Sequence, residues 1–194
     1  HPLDDFKMEI DAFCSGNVSM LNDMENHQGK DILLAAIISE GEHRITKKGD
    51  PFGTIILEDY NDSHKIFLWR ENYLKYKHFL NPGTFVSVKG RIEIPPRRSE
   101  LEFTIHSIDL LHNLKDSKAN AIHLKMSTKS LDQRMISDLN ALFIEHEGTC
   151  PIHITVYDPL DEIEVKMPSK SIKVDLNNKL FKGLQELDLE VVIK

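Results

Sequence analysis

Ile32-Leu33-Leu34-Ala35-Ala36-Ile37-Ile38, Thr46-Lys47-Lys48-Gly49-Asp50-Pro51-Phe52-Gly53 and Thr54-Ile55-Ile56-Leu57-Glu58-Asp59 read as a strand, a hairpin tip and a second strand. Apolar runs rich in β-branched residues suit a buried pleated surface. Glycine, proline and aspartate between them supply turn conformations. Working outward, strand one is expected from Asp31 to about Thr46 with a bend near Gly41, and strand two from Phe52 to Asp59. Strand three is expected from His64 to Trp69, a short helix from Glu71 to Leu80 stopped by Asn81-Pro82-Gly83, strand four from Phe85 to Ile94 and strand five from Leu101 to Leu111. Three strands, a helix and two strands is the order of a five-stranded Greek-key barrel, the OB-fold, whose loops between strands one and two and between strands four and five flank its ligand face.

The flanks differ from this barrel. Leu3, Phe6, Ile10 and Phe13 have helical spacing, and Ser15–Gln28 reads as an irregular connector. Residues 113–120 are polar and read as a linker. Beyond them, strand Ala121–Met126, helix Leu131–Glu145 capped by Ser130 and ended by Gly148, strands 151–157, 163–167 and 171–174, a helix from Asn178 and strand Leu189–Ile193 compose a small α+β domain. The expected fold class is therefore a β barrel plus an α+β domain: 1–29 helix and connector, 30–112 OB-fold, 113–120 linker, 121–194 α+β.

The net charge of −7 argues against nucleic acid until it is divided along the chain. Residues 1–29 hold six acids and one lysine, residues 30–111 balance twelve basic against twelve acidic residues, and residues 112–194 hold eleven and thirteen. The barrel segment is neutral, with its cations bunched in loops, which suits weak, strongly salt-dependent phosphate binding. No apolar run approaches the length of a membrane span. The first residues lack the basic start and apolar core of a signal peptide, and the absence of an initiating methionine suggests a piece of a longer protein. Cys14 and Cys150 read as reduced thiols of a cytoplasmic protein. Ten histidines include no pair at HxxxH or HxH spacing, so no metal and no cofactor is expected.

Candidate nucleic-acid contacts are Arg44, Lys47 and Lys48 in the first loop and Arg97 and Arg98 in the loop between strands four and five. Phe67 and Trp69 share one face of strand three with Lys65. That face can stack unpaired bases, or it can pack beneath the helix. Ile66 and Leu68, on the opposite face, are expected in the core. Lys89 and Arg91 alternate outward on strand four, as an extension of the basic track or as partners of cross-strand acids. Glu58-Asp59 is an acidic pair at a strand end, where closing the turn competes with holding a metal. There is neither a GxxxxGK[ST] phosphate loop nor a GxSxG elbow, and the fragment is expected to carry no catalytic residues.

Three segments resemble bacterial family C replicative polymerases, the DNA polymerase III alpha subunits. His1-Pro2-Leu3-Asp4 is similar to the end of their Ser-Gly-His-Pro-Leu-Asp signature. Thr46 to Gly53 with Leu57-Glu58-Asp59, and Val88-Lys89-Gly90-Arg91, resemble their OB-fold. Gly148-Thr149-Cys150-Pro151-Ile152-His153 and Ser169-Lys170-Ser171-Ile172-Lys173-Val174 resemble their last domain. The resemblance implies the C-terminal region of such a subunit, beyond the catalytic part, with an OB-fold near single-stranded template DNA and a last domain docking the tau subunit of the clamp loader. Two alternatives stand beside it: a replisome adaptor that binds only protein, and an anticodon-binding OB module acting on tRNA.

Overall fold

The computed structural model describes residues 1–96, 98–187 and 189–193. The chain divides into two compact units, His1–Leu114 and Lys115–Lys194. The first contains a 3-10 turn (Pro2–Phe6), α1 (Lys7–Phe13), α2 (Ser19–Asn22), a second 3-10 turn (Met24–His27), β1 (Asp31–Ile45), β2 (Pro51–Glu58) and β3 (Ser63–Trp69). It continues with α3 (Arg70–Tyr76), a 3-10 turn (Lys77–Phe79), β4 (Phe85–Glu93) and β5 (Glu102–Leu110). All strand pairs are antiparallel, in the order β3-β2-β1-β4-β5.

β1 is long enough to serve both halves of the sheet. Its first half pairs with β4 and its second with β2, and the register breaks between Ile38 and Glu40. That break is the bend expected near Gly41. Ile32, Leu34, Ala36 and Ile38 point inward with Ile55, Leu57, Ile66, Leu68, Val86 and Val88, all buried. Burying such a side chain contributes about 1.5–3 kcal/mol, so this alternation fixes the register. α3 and the turn after it close one end of the barrel. There Gly41 and Gly53 permit a close approach: a Cβ on Gly41 would collide with the Leu80 carbonyl, and one on Gly53 would lie 2.7 Å from Leu80 Cδ2 and 3.1 Å from Tyr73 Cδ2.

The N-terminal stretch departs from the expected single helix. Phe6 leaves helical geometry (φ −112°, ψ 18°), and its ring packs 5.1 Å from that of Phe85. Leu3, Phe6, Ile10 and Phe13 cover Ala35, Leu33 and Leu111 on the outer side of β1. The connector is not irregular throughout. Val18 and Leu21 enter the barrel core, and the Asp59 carboxylate fastens it: Oδ2 accepts the Val18 N–H at 2.7 Å, and Oδ1 accepts those of Asn61 at 2.9 Å and Asp62 at 3.0 Å. Asp59 thus closes its own turn.

Residues 113–120, expected as a linker, form the helix α4 (Asn113–Lys118) over most of their length. The second unit then comprises β6 (Ile122–Ser127), a 3-10 turn (Thr128–Ser130), α5 (Gln133–Glu145), β7 (Glu147–Asp158), β8 (Ile163–Val174), α6 (Asn178–Glu186) and β9 (Glu190–Ile193). Its sheet runs β8-β7-β6-β9, with β6 and β7 parallel and the other pairs antiparallel. Met135, Leu139 and Phe143 of α5 and Leu180 and Leu184 of α6 are buried with Leu124 and Ile152. Three expectations change here. Asp132, not Ser130, caps α5, accepting the Met135 N–H at 2.7 Å, because Ser130 is taken up in the preceding turn, where its hydroxyl donates to Ser127 O. Gly148 lies within β7 and does not end the helix. The segments 163–167 and 171–174 are one strand, β8, since register shifts at Glu147/Cys150 and Pro151/His153 keep β7 in step with it.

Candidate nucleic-acid interface

β3 presents its odd-numbered residues outward. Ile66 and Leu68 are buried, whereas Phe67 is 48% and Trp69 45% exposed. Neither aromatic is packed beneath the helix. The two rings lie nearly parallel, 5.7 Å apart at 10°, and the Lys65 ammonium sits 5.9 Å from the Phe67 ring centre. Trp69 also stacks on Phe52, its cross-strand partner on β2, at 4.5 Å and 19°. Arg44 on β1 stands opposite Phe52, so one row across the sheet reads Arg44, Phe52, Trp69. Phe52 went unremarked in the sequence because its role depends on a partner seventeen residues later.

Arg70, the next residue after Trp69, has a left-handed backbone (φ 45°). Such a conformation costs a residue with a Cβ about 1–2 kcal/mol. It turns the chain sharply from β3 into α3, so the outward row ends at the indole.

The edge strands β3 and β5 form no ladder with each other among the described residues. Their seam is a cleft of about 300 Å³ lined by Lys65, Phe67, Trp69, Arg98, Leu101 and Phe103, together with Met24 and His64. The loop between β4 and β5 therefore reaches the same cleft as the aromatic row. Arg98 is held there by Glu102, whose carboxylate accepts its NH1 donor at 2.7 Å. Arg97 lies outside the described residues.

The hairpin tip is ordered by Thr46. Its N–H donates to Asp50 O at 2.9 Å, its hydroxyl accepts the Asp50 N–H at 3.1 Å, and its carbonyl accepts the Gly49 N–H at 2.9 Å, with Gly49 at φ +90°. Lys47 and Lys48 project from this tip, exposed. Lys47, Lys48, Lys65 and Lys89 have no ion-pair partner among the described residues. Arg44, by contrast, donates from Nε to Glu42 at 2.7 Å.

Lys89 and Arg91 do not line the cleft. They stand on β4, separated from β3 by β1 and β2 on one side and β5 on the other. Arg91 lies 3.7 Å from Asp31 and 3.9 Å from Glu93, so the cross-strand acid alternative describes it. His64, at the cleft's far end, donates from Nδ1–H to Asn22 Oδ1 at 2.7 Å, and burial lowers its pKa against the opposing pull of Asp62.

Two family models match this chain. Residues 33–111 match the OB-fold nucleic acid binding domain family, and residues 122–194 match the family described as DNA polymerase III alpha subunit, C-terminal domain. The DNA polymerase III subunit alpha of Saccharopolyspora erythraea is 27% identical over 82% of this chain and 14% of its own length. That of Borreliella burgdorferi is 26% identical over 87% of this chain and 15% of its own. The chain thus spans about one seventh of these relatives. Among solved structures, a small single-stranded DNA-binding protein from Streptomyces coelicolor overlaps 43% of this chain and 93% of its own, at 18% identity and a TM-score of 0.30. Over most of its length, then, the chain is similar to bacterial DNA polymerase III alpha subunits, with an OB-fold followed by the C-terminal domain of that family.

Proposed function

We propose that the first unit holds single-stranded template DNA as an accessory region of a replicative polymerase alpha subunit in the bacterial cytoplasm, catalysis belonging to another part of the parent protein. One observation carries the reading: Lys65, Phe67, Trp69 and Arg98 converge on one open cleft. Parallel exposed rings offer faces on which bases of any sequence can stack, at about 1–3 kcal/mol per base. Cations around them neutralise phosphates, with affinity that falls steeply as salt rises. Lys47 and Lys48, at a tip next to the Arg44–Phe52–Trp69 row, supply further phosphate contacts.

Titration of labelled oligo(dT) into the wild type and a Lys47→Ala/Lys48→Ala variant tests this. The variant is expected to bind more weakly and with a shallower salt dependence. Equal affinity in both proteins, indifference to salt, or a preference for tRNA over DNA would reject the reading.

A second role is proposed for the second unit: docking a replisome protein, the tau subunit of the clamp loader in the family that it resembles. Ile163, Val165 and Met167 alternate along one side of β8 and are 58%, 52% and 44% exposed. β8 is also an edge strand. Apolar residues in a row on an open edge favour a protein partner. Val165→Asp/Met167→Asp should abolish retention of tau in a pull-down with the full chain. Retention equal to wild type would rule out this surface.

A further inference from the structure

The cleft has two unlike ends. At the Trp69 end the sheet continues through Phe52 to Arg44 and the Lys47–Lys48 tip. At the Lys65 end it meets the connector. Asn22 Nδ2 donates to Ser63 O at 3.1 Å, and Asn22 Oδ1 lies 2.7 Å from His64 Nδ1, so the connector is fastened to the first turn of β3. Met24 and Leu101 line the cleft and also the next hollow, whose border carries Asp23, Glu25 and Glu100. These three carboxylates are exposed and have no ion-pair partner among the described residues; Asp23 accepts from the neutral Asn26 amide at 2.9 and 3.0 Å. Because the two hollows share Met24 and Leu101, a strand crossing the aromatic row would run from cations toward these carboxylates, whose charge repels phosphate over the screening length of about 8 Å at physiological salt.

Resting on the single-strand reading above, we propose that Asp23, Glu25 and Glu100 form an electrostatic stop that ends the bound strand at Lys65 and Arg98. The outward row from Trp69 to Lys65 covers about 13 Å, enough for the two bases that Phe67 and Trp69 can each stack. The site therefore occupies the short end of the range of about 4–16 nucleotides found for one OB-fold. The strand leaves the cleft by way of the basic hairpin and not over the connector. Such a site restrains a template without retaining it, because added length on the acidic side brings repulsion in place of contacts.

The test uses the full chain and a series of oligo(dT) about 4 to 16 nucleotides long, read by anisotropy and by the emission of Trp69, the one tryptophan in the sequence. Wild-type affinity should rise with length and then level off early. An Asp23→Asn/Glu25→Gln/Glu100→Gln variant should bind the longest oligomer about tenfold more tightly and keep gaining with length. A Glu145→Gln/Asp161→Asn/Glu186→Gln variant, with the same change in net charge placed in the second unit, should match wild type. If both triple variants gain equally, or if the length profile is the same in all three proteins, there is no stop. If none of the proteins binds any oligomer or changes Trp69 emission, the single-strand reading itself fails and the stop with it.

Discussion

The ring of Phe52 lies face to face with that of Trp69, 4.5 Å between centres and 19° from parallel. The contact fixes an exposed indole that would otherwise rotate about two side-chain bonds. Ordering Trp69 in advance lowers the entropy cost of stacking a base on it. Phe52→Leu should therefore shift Trp69 emission to the red and weaken single-strand binding about three- to tenfold, less than the loss in Trp69→Ala. Anisotropy titration of the three proteins gives the ranking. A Phe52→Leu protein with wild-type affinity would show that the indole needs no support.

Asp59 joins the connector to the turn after β2 by accepting three backbone N–H groups. Asp59→Ala leaves all three without that acceptor, the Val18 N–H in a buried place. A loss of about 2–4 kcal/mol is expected, seen as a lower denaturation midpoint. Asp59→Asn, which keeps one acceptor oxygen, should fall between. An alanine variant as stable as wild type would mean that the connector is held by Val18 and Leu21 alone.

Gly41 has an ordinary extended backbone, so its requirement is for space. Gly41→Ala would drive a methyl into the Leu80 carbonyl. The backbone on one side must shift, at an expected cost of about 1–3 kcal/mol or more. Chemical denaturation of the variant measures it, and unchanged stability would show that the barrel end yields freely.

Burial lowers the His64 pKa below its ordinary 6.5. The unfolded chain then takes up a proton at His64 before the folded chain does. The contribution of His64 is complete above the unfolded value and declines as pH falls through the folded one. Stability should drop on acidification below about 6.5, and His64→Gln should flatten the part of that slope due to this ring. Identical pH profiles for both proteins would assign the slope to other groups.

Much of the barrel was legible because its signals are local. Ile66 and Leu68 buried against Phe67 and Trp69 exposed follow from period-two alternation alone, and Asn81-Pro82-Gly83 marks its own turn. What could not be read depends on partners distant in the chain. The pairing of Phe52 with Trp69 needs the register of two strands, and the hold of Asp59 on Val18 spans 41 residues. For Lys89 and Arg91 the sequence left a basic track and cross-strand acids as alternatives, because alternation gives the face of a strand but not its place around a barrel. Ser130 and Asp132 are both good capping residues, and only the preceding turn decides between them.

The order of strands in the second unit bears on how it is made. β6 stands between β7 and β9, pairing in parallel with one and antiparallel with the other, and Ile122 meets both Ile152 and Ile193. The strand synthesised first thus waits for two partners, one beyond α5 and the other more than sixty residues downstream. Pairings this distant in sequence form slowly. On the ribosome the first unit can complete its barrel, the distant β1–β4 pairing included, once β5 has emerged, while Leu124 and its neighbours stay without their full sheet until β9 emerges. A nascent chain halted before β9 should therefore carry a folded barrel and a second unit open to chaperones and proteases.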